Sequence, residues 1–120
     1  MHRMFLFVSI VLSFLLSACS GAGSTSSTSE SAASESTRLS SIEGLTADST
    51  AGGTLFTSDC ASCHGSNATS GSANKNLPSI ATSNETAAID QILNGGDGMS
   101  SFASLTDQQI ADLLGYLKSL

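Results

Sequence analysis

Apolar residues are distributed very unevenly along this chain. From Met4 to Leu16 they form a near-continuous run of about 13 residues, broken by Ser9 and Ser13. From Ser20 to about Thr37 the chain reads SGAGSTSSTSESAASEST, with nothing to bury. Leu39, Ile42 and Leu45 then interrupt the polar pattern at helical spacing and predict a short turn packed on the folded part. From Asp48 onward the apolar positions recur with a helical period, and no strand-period run of useful length appears.

Three helices are predicted. The first starts at Asp48 or Ser49 as N-cap and runs to about Cys63, with Phe56, Cys60 and Cys63 on one face and Leu55 beside it. The second starts near Ser83 or Asn84, carries Ile89, Ile92 and Leu93, and stops at Gly95-Gly96. The third has a capping box in Thr106 and Gln109 and a hydrophobic staple in Leu105 and Ile110. Ile110, Leu113, Leu114, Leu117 and Leu120 continue as its apolar stripe, which reads as core. The predicted fold class is all-α. From Asp48 to Leu120 there are about 73 residues, few enough that a core of this size usually needs a staple.

Composition divides the rest. Residues 1–18 read as a secretory signal, since the apolar run is shorter than the ~20 residues a membrane-spanning helix needs. Leu16-Ser17-Ala18-Cys19 resembles the lipobox of bacterial lipoproteins, which implies lipid on Cys19 and cleavage before it. Several acyl chains, at roughly 0.8 kcal/mol per buried methylene, would hold a domain on a bilayer. Residues 19–46 read as a flexible tether; some 25 free residues span ~25–30 Å on average and ~80–90 Å when pulled out. Residues 47–120 read as the folded domain. The expected location is the cell envelope, with the domain on the extracytoplasmic side of a bacterial membrane. Ser20 lacks the aspartate that resembles an inner-membrane retention signal, so the outer membrane is expected in a cell with two.

The formal charge is −6, and −7 once Arg3 leaves with the signal. From Asp48 onward seven acids face two bases, Lys75 and Lys118. That balance argues against nucleic acid and is equally compatible with a redox protein partner presenting a basic docking patch and with charge that only keeps the protein soluble.

Cys60-Ala61-Ser62-Cys63-His64 carries the chemistry. Cys-x-x-Cys-His is the attachment signal of a c-type haem. Two thiols three positions apart can each bond one vinyl-derived carbon of the same macrocycle, and the following imidazole then meets the iron from one side. One lipidated and two thioether-linked cysteines also account for an odd cysteine count of three. The mature chain keeps one histidine, His64, and one methionine, Met99, so a His/Met-ligated iron must use this pair. Met99 lies in a glycine-rich stretch, Asn94 to Phe102, where glycines let backbone approach a flat cofactor. If Met99 is not bound, the iron is five-coordinate and open to small ligands. The second ring nitrogen of His64 needs an acceptor; a carbonyl near Leu77-Pro78, in a loop rigidified by the single proline, is the candidate. A zinc site lacks a fourth convenient ligand, and a thioredoxin-like dithiol lacks its βαβ context.

These residues resemble class I (monohaem) cytochromes c. The resemblance runs from Gly52 to Leu120 and rests on Gly52-x-x-x-Phe56-x-x-x-Cys60-x-x-Cys63-His64-Gly65, Leu77-Pro78, the Gly-rich loop with Met99, Leu105-Thr106-Asp107-x-x-Ile110 and Leu113-x-x-Tyr116-Leu117. It implies a small cytochrome c fold packed around one covalently bound haem c. It also implies His64 as proximal ligand, Met99 as distal ligand and the Pro78 carbonyl as acceptor for His64. Gly52 and Phe56 would meet Leu113 and Tyr116 where the terminal helices cross. One departure is Ser100, where many members have proline.

The expected function is one-electron transfer between exported redox partners, without catalysis, because both axial sites are filled and no acid/base dyad or nucleophile stands out. Two alternatives stay open: a haem module whose sixth site opens to bind or sense a ligand, and an electron-transfer subunit of an oxidoreductase complex.

Overall fold

A computed structural model describes residues 27–120, with side chains from Ala32 onward. The predicted signal, Cys19 and the first part of the predicted tether lie outside the described residues. The elements are α1 (Ser27–Glu43), α2 (Ser49–Leu55), a π turn (Phe56–Cys60), α3 (Ala61–His64), α4 (Leu77–Ser83), α5 (Glu85–Asn94) and α6 (Asp107–Ser119). Among the described residues there is no strand, only an antiparallel bridge between Gly96 and Met99. The fold is all-α, as the periodicity predicts.

Helix starts follow their caps. The Asp48 carboxylate accepts from the backbone N–H of Thr50 and of Ala51 at 2.9 and 3.2 Å, satisfying donors that the first turn of α2 cannot pair internally. Asn84 caps α5 by accepting from Ala87 N–H. Thr106 and Gln109 form the reciprocal capping box of α6, at 2.9 and 3.2 Å. Gly95, at φ 71°, ends α5. The first predicted helix is a continuous helical path with one widened turn: Ala61 N–H reaches back five residues to the Phe56 carbonyl.

The core draws on every long helix. Ile42, Phe56, Ile89, Ile110 and Leu114 are its largest fully buried side chains. Its densest part is the contact of α2 with α6. A Cβ at Gly52 would overlap the backbone carbonyl of Asp112, so only glycine lets the two helices approach this closely. Gly53 lies under the Tyr116 ring, where a Cβ would stand 3.0 Å from it. The rings of Phe56 and Tyr116 pack with centroids 5.5 Å apart. Nearby, the buried Asp112 carboxylate accepts from Asp48 N–H at 2.8 Å and from Gln108 Nε2 at 2.7 Å. These bonds tie the start of α2 to the middle of α6.

Two expectations change. Much of the stretch 19–46, read as a flexible tether, is helix α1, and its C-terminal half packs on the domain. Ile42 is 1% exposed within the core, and Leu39 packs beside it; Leu45 stays outside. The many serines and threonines do not prevent this, because several return their hydroxyls to carbonyls one turn back, as Thr37 and Ser41 do. The second change is Leu77-Pro78, which opens a helix instead of forming a loop. Asn76 accepts from Ser79 N–H at 3.1 Å, and proline is well tolerated in a first turn.

Candidate functional site

A cavity of about 610 Å³ opens beside the α2–α6 contact. That volume lies within the range of small-molecule and cofactor sites, about 300–1,000 Å³. Cys60, Cys63, His64 and Met99 all line it. Its other walls are mostly apolar: Phe56, Leu77, Ile80, Ile92, Phe102, Leu113 and Leu117. Lys75, Asp59 and Asp97 also face it.

The π turn and α3 carry the two cysteines and the histidine into this cavity. Cys60 is partly buried and Cys63 exposed, and neither is in a disulfide. Burial, then the nearby Asp59 carboxylate and Cys63, pushes the Cys60 thiol up to about 11. At neutral pH it is an uncharged thiol, suited to an apolar wall. After α3 the chain turns at Gly65 (φ 75°) and folds back, with Ala73 N–H donating to the Cys63 carbonyl at 3.0 Å and Leu77 N–H to the Ala68 carbonyl at 2.9 Å. Gly71 must be glycine: its φ is 107°, and a Cβ there would stand 2.5 Å from the Cys63 carbonyl oxygen.

Met99 reaches the cavity from the loop between α5 and α6. Gly96 and Met99 exchange two backbone hydrogen bonds at 2.9 Å. Phe102 N–H donates to the Ile92 carbonyl at 2.8 Å, and Ser101 Oγ donates to the Leu93 carbonyl. Gln91 Nε2 holds the Gly96 carbonyl at 2.9 Å. Glycines 95, 96 and 98 have positive φ, which fits a backbone that must reverse twice in a few residues.

Burial lowers the pKa of His64, which favours the neutral imidazole, the form that has a lone pair for a metal. Its Nδ1 is buried without a hydrogen-bond partner. The bond expected between His64 and the Pro78 carbonyl is not formed. Pro78 sits in the first turn of α4, and its carbonyl accepts from Thr82 Oγ1 at 2.9 Å. Leu77 lines the cavity and Pro78 does not.

The arrangement fits a haem. It offers two reduced thiols, one neutral imidazole with an unpartnered buried nitrogen, one thioether, and an apolar enclosure. Sequence reasoning found these four side chains but missed most of the enclosing wall. Ile80 lies in the unforeseen helix α4, and its signal was Asn76 followed by Pro78. Among the described residues no group of three or more His, Cys, Asp or Glu side chains gathers as a metal-holding cluster. No described helix is long and apolar enough to cross a membrane.

Comparison with known proteins agrees with this chemistry. No curated protein and no solved structure shows significant similarity to the chain. The family described as cytochrome C oxidase, cbb3-type, subunit III matches residues 47–117, which run from just before the N-cap of α2 almost to the end of α6 and include every residue of the cavity wall. A cavity that gathers Cys60, Cys63 and His64, inside an all-α domain matched over that span, places this chain in that family, as an electron-transfer cytochrome of the c type with covalently bound haem.

Proposed function

We propose that this protein is a class I, monohaem cytochrome c that carries single electrons between exported redox partners and catalyses no reaction of its own. Cys60 and Cys63 would hold the haem through thioethers, and His64 and Met99 would be the ligands of its iron. Bound there, the haem supplies an iron that gains or gives up one electron. The chain's part is to keep that exchange simple. A neutral imidazole and a thioether add no charge to the iron, and a methionine ligand raises the reduction potential. The apolar wall of Phe56, Leu77, Ile80, Ile92, Phe102, Leu113 and Leu117 would shield the bound group from water. With His64 and Met99 both bound to the iron, no position would be left on it for a substrate.

The observation that carries this reading is the meeting of His64 and Met99 in one cavity with both cysteines. They are the single histidine and single methionine among residues 27–120. The domain is held at the extracytoplasmic face of a bacterial membrane by lipid on Cys19. Its acidic surface suits a partner with a basic docking patch.

The ferric absorption spectrum tests the ligand pair. A weak far-red charge-transfer band from iron–sulfur coordination is expected, and Met99→Ala should abolish it. A band that survives the substitution would show that the sulfur is not on the iron. A second reading, that the protein is the electron-transfer subunit of an oxidase complex, is favoured by the description of the matched family. Detergent extraction followed by co-purification of a catalytic subunit would select it.

A further inference from the structure

Helix α1 lies outside the residues matched by the family, yet it is bonded to the part of the domain that carries Met99. At its C-terminal end, Glu43 Oε1 accepts from Thr86 Oγ1 at 2.7 Å, near the start of α5. Two turns earlier, Glu35 Oε1 accepts from Asn94 Nδ2 at 2.6 Å, at the last residue of α5. The two helices step through equal numbers of residues in opposite directions, so α1 runs antiparallel along α5. Ile42 anchors this contact in the core.

Between those two contacts Arg38 reaches to the other side. Its Nε donates to Asp107 Oδ1 at 2.8 Å, its Nη2 to the Leu105 carbonyl at 2.7 Å, and its Nη1 to the Ala103 carbonyl at 3.4 Å. The Ala103 and Leu105 acceptors lie on the few residues that connect Met99 to α6, and Asp107 is the first residue of α6 itself. A guanidinium is suited to this because its donors form a rigid planar fork. The near end of the same connection is sewn to α5 by the Phe102 to Ile92 bond. Any excursion of Met99 out of the cavity that extends through Ala103–Leu105 must break the bonds of Arg38.

We infer that Arg38 is a positioning residue for Met99: by pinning Ala103, Leu105 and Asp107 to α1, it suppresses a conformer in which the methionine has left the cavity. The inference rests on the reading of Met99 as an iron ligand. An added ligand can reach the iron only in that conformer. Its apparent dissociation constant is therefore the intrinsic one divided by the open fraction. Arg38 sets that fraction without touching the cofactor.

Imidazole titration of the ferric, haem-loaded full chain reads it directly. Arg38→Gln should bind imidazole about tenfold more tightly than the parent, the scale expected for losing a small set of partly exposed, charge-assisted hydrogen bonds. Arg38→Lys, which keeps the charge but not the fork, should fall between. Met99→Ala should bind most tightly, and adding Arg38→Gln to it should change nothing further. Unchanged imidazole affinity in Arg38→Gln and Arg38→Lys, beside a clear gain in Met99→Ala, overturns the positioning role, even if thermal stability falls. No gain in Met99→Ala overturns the ligand reading instead. An equal effect of Arg38→Gln with and without Met99 also overturns the inference, since it would then act on something other than the methionine.

Discussion

The α2–α6 contact and the cavity wall lie side by side, yet they are held by different means. At the contact, protein touches protein. Gly52 lies against the backbone of Asp112, Phe56 packs on Tyr116, and Asp112 is fully engaged with Asp48 and Gln108. Around the cavity, apolar side chains face a space of about 610 Å³, one histidine nitrogen has no partner, and the loops bend through positive φ at Gly65, Gly71 and Gly95. The first region is complete in itself. The second is a shell shaped for something the polypeptide does not supply. A domain this small gains its staple by bonding that missing part covalently.

The largest effect that would break this comparison is expected at Gly52. Helix propensity alone predicts that Gly52→Ala stabilises, by up to ~1 kcal/mol. Packing predicts the opposite, because the new methyl group would overlap the Asp112 carbonyl, and overpacking of this kind costs about 3 kcal/mol. Thermal unfolding of the haem-loaded protein decides the sign, and a raised midpoint would mean the helices do not press together as described. The haem spectrum at low temperature should stay that of the parent, since Gly52 does not line the cavity.

A smaller effect sharpens the same contrast. Asp112→Asn keeps the shape and the Oδ1 atom that accepts from both Asp48 N–H and Gln108 Nε2, but it removes the negative charge that strengthens those two bonds. A loss of about 1–2 kcal/mol is expected in denaturant unfolding, the scale of a weakened buried hydrogen-bond pair. The far-red band should not move. A shift of that band would mean the contact and the metal site are coupled more closely than their separate construction implies.

The sequence revealed the two regions to different degrees, for physical reasons. Helices α5 and α6 were legible because their caps are local: Asn84, Gly95, Thr106 and Gln109 act on backbone groups within one turn. The four chemistry-bearing side chains were legible because attachment to one macrocycle needs fixed spacing at Cys60, Cys63 and His64, and because only one methionine remained. Helix α1 was obscured by its composition. Its signal was confined to Leu39, Ile42 and the single Arg38, and the meaning of Arg38 depends on a partner far away in sequence, Asp107. The π turn at Phe56–Cys60 left no signal, since no residue type demands one. The loop expected at Leu77-Pro78 is a helix because Asn76 caps it there, a local contest the dipeptide Leu-Pro does not reveal.

Intact mass analysis of the mature protein, with and without alkylation, tests the account at its centre. The account predicts the added mass of one haem and no alkylation at Cys60 or Cys63. A product without that mass, or with both thiols open to the reagent, would contradict it.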